Sequence, residues 1–447
     1  MYPPLPLQGG DYFLKHAYNR SIFEEEKMTL KAGVAKVDIT PPVGVYLAGG
    51  LRKRVAETVG TPLYAKALVL DNGSTQIGLL ALDLLVIEKE TIASAGELIK
   101  AQTGMNIENI MVSASHTHSG PYTSTNIFDG EEGIDEIWFS ALPSKMAEAV
   151  SSAYRSLKEA KVGAGSGCEK SISHNRRMKM NDGTAWNDWL RPPQDHIVGV
   201  CGPIDPEVGV LKVENMDGST LSAIINFSCH NNAGGIGGIS ADFAKYATEV
   251  IEKVEGGKSV ALFMPGACGN IGAGGVQSGA QKVGKILGAE ALKILVKTST
   301  VEDVKLLTTR REIDLPLRKF DWQLDEIRKI WPSGEDVFRK ELEFLKQVKE
   351  DHISTYIQVI AIGDTAFVSV PGEMFVELGL EIKRKSPFER TFVVELANDY
   401  VGYIPTRVAF EEGGYETLNA RSSKVAPETG EIVVENALSM LENIKTS

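Results

Sequence analysis

From Lys31 onward short apolar runs alternate with polar breaks, and the period of each run separates strands from helices. Residues 32–42, AGVAKVDITPP, predict a strand closed by a Pro-Pro stop. YAKALVLDNG (64–73) and STQIGLLALDLLVI (74–87) predict two strands joined by an Asp-Asn-Gly turn. In IENIMVSASHTHSG (107–120) an apolar strand runs straight into a polar loop bearing two histidines. Residues 207–230 give a strand, an Asp-Gly turn and a second strand ending in His230. SVALFMPGACGNIGAGG (259–275) reads as a buried strand opening into a glycine-rich loop. Two strands about a Gly-Asp turn follow over 355–373, and another strand and loop over 391–406.

Helical spacing marks 136–158, 241–256, 280–298 and 373–385, with a charged helical stretch over about 321–350. A last helix is expected over about 427–444, starting after Pro427. Residues 1–28 lack this patterning and read as a loosely attached leader with one short helix. The mixture predicts an α/β fold: one large domain over 29–447, with mixed β-sheet flanked by helices.

Composition narrows the function classes. The net charge is −12 and the longest basic run is Lys383-Arg384-Lys385, on a helical face, so neither nucleic acid nor an anionic membrane is an expected partner. The four cysteines form no CxxC pair, which argues against a disulfide framework. No apolar run approaches the ~20 residues of a membrane span, and no basic segment leads into an apolar one at the N-terminus. A cytoplasmic protein acting on a small molecule is the expectation; nothing in the sequence sets an oligomeric state.

Polar clusters recur where apolar strands end, which is where α/β folds place their sites. They are His116-Thr117-His118, His230, Gly372-Glu373, and Asn398-Asp399-Tyr400-Val401-Gly402-Tyr403. In extended backbone, residues i and i+2 point to one face, so His116 and His118 can share one metal. Alternatively one ligates and the other serves as base or hydrogen-bonding partner. A metallo-β-lactamase-like site would continue HxHxDH, and Ser119-Gly120-Pro121 excludes it. An amidohydrolase-like site needs further strand-end histidines and a late aspartate; His230 fits, but no Ser-Asp strand end follows.

The segment SASHTHSGP (113–121) resembles the histidine signature of the neutral, alkaline-type ceramidases and their bacterial relatives. Further segments resemble that family in order: AGVAKVDITPP, LLALDLLVI, HNRR (174–177), INFSCHNN (225–232), ISADFAKYA (239–247), MPGACGNIG, VSVPGE (368–373) and NDYVGYIPT. The resemblance implies one zinc ion per chain held by His116, His230, Glu373 and Tyr403. Such a donor set suits catalytic zinc, which keeps one position for water and lowers that water's pKa to about 7. A tyrosine, whose phenol has a pKa of about 10, ligates as phenolate only if the cation offsets its ionisation.

Supporting roles follow from the same resemblance and from the need to orient metal-bound imidazoles. Asp83 and Asp242 are expected to accept ring N–H groups, although Asp242 is equally explained as a helix N-cap. Arg176 is expected to bind a substrate carbonyl or carboxylate, and His118 and Tyr415 to stabilise an oxyanion or move a proton.

Ceramidases carry a serine in a Gly-Asp-Val-Ser-Pro-Asn loop, where this chain reads Gly269-Asn270-Ile271-Gly272-Ala273-Gly274. The missing serine, and the lack of an export signal and accessory domain, point to hydrolysis of an amide, ester or lactone in a small polar substrate. Three alternatives stay open: ceramide hydrolysis itself, a cysteine hydrolase built on Cys268, and a binding protein that kept the fold without the activity.

Overall fold

The computed structural model describes Met1 and residues 29–234, 238–274, 279–320 and 324–447; the leader expected over 1–28 falls, but for Met1, outside the described residues. An eight-stranded sheet is built from β1 (Lys31–Asp38), β2 (Tyr64–Asp71), β3 (Gln76–Leu82), β4 (Ile110–Ala114), β5 (Lys158–Cys168), β6 (Glu207–Asn215), β7 (Thr220–Phe227) and β8 (Val260–Pro265). Its order is β8-β7-β6-β5-β1-β2-β3-β4. Only β3/β4 and β7/β8 run parallel. A second sheet has the order β9-β10-β11-β12, from Leu306–Pro316, His352–Ile362, Thr365–Ser369 and Arg390–Val394, with β11/β12 parallel.

The longer helices are α1 (Lys89–Thr103), α2 (Glu136–Arg155), α3 (Asp242–Val254), α4 (Ala280–Lys297), α5 (Glu335–Leu345), α6 (Val376–Lys385) and α7 (Thr429–Thr446). The two sheets face each other across one apolar layer, in which Leu68, Leu70 and Leu79 meet Ile360, Phe367 and Phe392. Helices cover the outer faces: α1 and α2 on the first half of the large sheet, α3 and α4 on its second half, α6 and α7 on the small sheet. Strand β2 shows the cause. Ala65, Ala67 and Val69 point into the helix-side core while Leu68 and Leu70 point into the inter-sheet core. A strand buried on both faces therefore reads as a continuous apolar run.

Three of these elements, β5, α1 and β9, escaped the periodicity. Helix α1 buries Ile92, Ala95, Gly96 and Ile99 at helical spacing, and Gly104 ends it in a left-handed conformation (φ 79°) that glycine adopts without strain. Its small and polar residues hide that stripe. Strand β9 carries Thr309-Arg310-Arg311-Glu312 and pairs with β10 along its full length. The charged stretch expected as one helix is divided: a helical turn at Asp325–Ile330, a 3-10 turn at Pro332–Gly334, then α5. Pro332 supplies no N–H to continue the helical ladder. No helix among the described residues is long and apolar enough to cross a membrane.

Candidate metal centre

The four polar clusters follow β4, β7, β11 and β12, at their carboxyl ends. The loop after β12 runs back along β4, where Ala114 N–H donates to Leu396 O (3.1 Å) and Asn398 N–H to Val112 O (2.8 Å). Asn398 Oδ1 accepts from Val112 N–H (2.9 Å) while its amide donates to Gln358 on β10 (2.8 Å), joining the two sheets at this point. Glu373–Met374 then pairs in parallel with Tyr403–Ile404, Glu373 opposite Tyr403, so their side chains leave on one face.

His116 sits at φ 63°, a left-handed conformation that persists in a non-glycine residue only where its surroundings hold it. The Nε2 of His116, now directed inward, lies 3.4 Å from Glu373 Oε2, 3.3 Å from His118 Nε2 and beside His230, whose Nε2 is 3.3 Å from the same carboxylate oxygen. Ligand nitrogens of the three imidazoles lie within 4.8 Å of one another. His116, His230 and Glu373 are all buried.

The opposite ring nitrogens fix the protonation pattern. His116 Nδ1 meets Leu85 O at 3.1 Å, His118 Nδ1 meets Gly49 O at 2.9 Å, and His230 Nδ1 meets Cys268 O at 2.7 Å. A carbonyl only accepts, so each Nδ1 carries the hydrogen and each neutral Nε2 presents a lone pair. Burial and the Arg176 charge push His230 down to about 3, and burial with the neighbouring imidazoles pushes His118 well down. Burial alone would raise Glu373, and only positive charge beside it, on a flanking imidazole or on a bound cation, draws it below the usual carboxylate range.

Several acceptors thus converge with no hydrogen between them. Among the described residues, His230 Nε2 and Glu373 Oε2 are buried with no hydrogen-bond partner, and each such atom costs about 1–3 kcal/mol. A divalent cation relieves both atoms at once. Three nitrogens and a carboxylate oxygen are the donors zinc prefers, so the residues fit a metal.

Tyr403 completes the floor differently. Its hydroxyl accepts from Arg176 Nη2 at 3.1 Å. Burial and Glu373 push the phenol well above its ordinary range against the pull of Arg176, so it ionises only beside a cation. His118, whose Nε2 lies 3.3 Å from His116 Nε2, stands inside the donor set and competes with Tyr403 for a place in it. Gly49 makes that possible: it has φ 85°, and a Cβ there would meet His118 Cγ at 2.6 Å.

The supporting residues depart from expectation. Asp83 accepts from Tyr64 N–H (2.9 Å), and Asp242 from the N–H groups of Ala233, Gly234 and Phe243 (2.9, 2.9 and 2.7 Å), so neither receives a ring hydrogen. Backbone carbonyls occupy all three Nδ1 positions. Asp242 is not an N-cap either, because the cap position is Ala241; it secures the loop after His230. Arg176 commits Nε to Glu416 Oε1 (2.8 Å) and Nη2 to Gly269 O (2.8 Å) and Tyr403, which makes it a holder of Tyr403 more than an open anion site. Tyr415 lines the opening over the metal floor, its ring 5.9 Å from that of Tyr403.

The sequence assigned no role to two contributors. Tyr400 donates to Glu373 Oε1 at 3.0 Å, leaving Oε2 as the inward-facing oxygen. Glu416, fully buried, receives Arg176, Arg177 and Asn187. Cys268 is not the exposed thiol its loop suggested: it is fully buried, its Sγ donates to Glu395 Oε1 at 2.8 Å, and burial with that carboxyl pushes it well up. A thiolate nucleophile is unavailable there.

The family model of the N-terminal part of neutral/alkaline non-lysosomal ceramidases matches residues 30–274, more than half of the chain. The chain belongs to that family. The neutral ceramidase of Pseudomonas aeruginosa is 27% identical over 219 residues, 46% of this chain and 31% of that protein's length. The crystal structure of neutral ceramidase from Pseudomonas aeruginosa superposes with a TM-score of 0.72 at 20% identity, covering 93% of this chain and 75% of that one. A structure of a ceramidase complexed with C2 gives 0.74 at 20%, covering 94% and 76%. The likeness establishes the ceramidase fold for both sheets, including the part beyond residue 274 that carries Glu373 and Tyr403.

Proposed function

We propose that this ceramidase-family chain is a hydrolase that uses one zinc ion to cleave an amide, ester or lactone in a small polar substrate. The observation that carries this reading is the convergence of inward-facing, donor-free Nε2 atoms and Glu373 Oε2, each imidazole anchored from behind by a carbonyl. His116, His230 and Glu373 hold the ion, with Tyr403 or His118 as the fourth protein donor. When bound, zinc supplies a Lewis acid and a water acidified to a pKa of about 7.

The chain's own residues account for the rest. Arg176 steadies the Tyr403 oxygen and offsets charge that gathers on it. His118, partly accessible at the opening, is placed to take or return a proton. Tyr415 keeps its proton, since burial and Glu373 push it up, and a neutral phenol at the opening donates to the carbonyl oxygen as charge develops. Gly272 brings no hydroxyl, so none of these steps uses the loop serine of the family.

Family membership favours a second reading, ceramide itself. The test is metal analysis of purified protein followed by turnover of matched amides, esters and lactones beside long-chain ceramide. One equivalent of zinc, loss of activity with a chelator and poor release of fatty acid support the proposal. Metal-free protein, or rapid ceramide turnover, overturns the metal or the substrate part respectively.

A further inference from the structure

A cavity of about 430 Å³ opens beside the metal floor and shares Gly49, His118, Tyr403 and Tyr415 with it. Its outer wall comes from Ser173–Asn175, the turn Asp188–Leu190, and the loop at Gly272. Trp189 is 42% exposed there. Its ring is fixed edge-on by Trp331 and Tyr415, each 5.2 Å away. Asp188 stands next to it with 37% of its side chain exposed, receiving His174 Nε2 (2.7 Å) on one oxygen and Trp189 N–H (2.7 Å) on the other. Each carboxylate oxygen retains accepting capacity. His174 packs against Gly272, where an added Cβ would meet its ring at 3.0 Å.

The charges decide what enters. Among the described residues lining this cavity Arg176 carries the one guanidinium, and its Nε and Nη2 are spent on Glu416, Gly269 and Tyr403. An anionic group would meet the Asp188 carboxylate with no free guanidinium fork to receive it. An alkyl chain would strip water from Asp188 and His174 without replacing its hydrogen bonds, which is unfavourable. A hydroxylated ring satisfies both demands: its C–H face covers an aromatic surface and its hydroxyls donate to a carboxylate.

We propose that this cavity is a subsite for an uncharged hydroxylated portion of the substrate, a sugar or polyol ring lying on Trp189 and donating to Asp188. It deepens the hydrolase reading by naming what flanks the scissile bond, but binding here requires no cleavage. The test is calorimetric titration of the metal-analysed protein with methyl β-D-glucoside, N-hexylacetamide and N-acetylglycine. Saturable glucoside binding is expected, tighter than that of the other two probes. Trp189→Ala and Asp188→Asn should each weaken it about tenfold. Tighter binding of the alkyl or anionic probe overturns the proposal, as does glucoside binding that neither variant alters, or none at all. Failure of the metal chemistry would appear instead in the zinc content and chelator response.

Discussion

The metal floor and the outer cavity are neighbours built on opposite plans. On the floor, every imidazole is held from behind by a main-chain carbonyl, and His116, His230 and Glu373 are almost wholly buried. In the cavity, His174, Asp188 and Trp189 hold one another mainly through side chains and remain about a third or more exposed. A backbone carbonyl stays in place when neighbouring side chains change, so the floor is set by the fold. A wall of exposed side chains can be exchanged one residue at a time. One scaffold can therefore keep the residues of its floor while those of the outer wall change.

The sharpest way to break this contrast is at the floor. His230→Ala should remove bound zinc and with it all measurable turnover, because no other group can supply its Nε2. Metal analysis and activity assayed on the same sample check this. One equivalent of zinc retained at unchanged affinity would mean that His230 lies outside the coordination sphere.

Next in size is the buried network behind Tyr403. Glu416→Ala leaves Arg176 and Arg177 facing an empty, buried acceptor position, a type of loss worth about 3–5 kcal/mol. Urea unfolding should show that deficit at neutral pH. Burial alone would raise Glu416, but Arg176 and Arg177 hold it below its ordinary value. Its stabilisation is then complete above the unfolded-state pKa and fades as acid carries the pH down through the folded-state value. The difference between wild type and variant should shrink below about pH 4, near the unfolded glutamate pKa.

A smaller effect tests whether side chains also shape the floor. Tyr400 holds Glu373 Oε1 so that Oε2 faces inward, and partners of this kind are worth about 10–100-fold in metal affinity. Tyr400→Phe should weaken zinc binding within that range in a competition titration, while the thermal midpoint moves little. An unchanged affinity would show that the backbone alone aims the carboxylate.

The same contrast explains what was legible in the sequence. The clusters that hold His116, His118, His230, Glu373 and Tyr403 were visible because each follows an apolar strand, but the choice of donors within them came from the family resemblance and not from spacing. Their orienting partners were not visible, because Leu85, Gly49 and Cys268 act through carbonyls that every residue has. Asp83 and Asp242 were attractive as acids near the right strands, yet both carboxylates are taken by backbone N–H groups of their own surroundings. Tyr400 and Glu416 lie in irregular segments where spacing gives no facing. Helix α1 stayed hidden because a stripe of two isoleucines, an alanine and a glycine is too weak to stand out from its polar residues.

The smallest expected change is at Cys268, and it separates a fold-set floor from a thiol chemistry. The thiol is fully buried, and Sγ and the backbone N–H of Cys268 each donate to the Glu395 carboxyl at 2.8 Å. Burial pushes Glu395 well up, as it does the thiol, so the pair is held in its neutral, proton-rich form. The residue's contribution to the site is its carbonyl, which fixes His230 Nδ1 at 2.7 Å. Cys268→Ser keeps that carbonyl and replaces one hydrogen-bond donor by another of nearly the same size. A serine hydroxyl is more polar than a thiol, so a stability loss of about 1 kcal/mol is expected from placing it in a buried site where one hydrogen bond is already provided. Turnover should stay within about twofold of wild type, since the transition-state contacts are untouched, and iodoacetamide should leave the wild-type enzyme active. Loss of activity in Cys268→Ser with zinc content intact would instead assign the thiol a part in the reaction and make this loop chemical as well as structural.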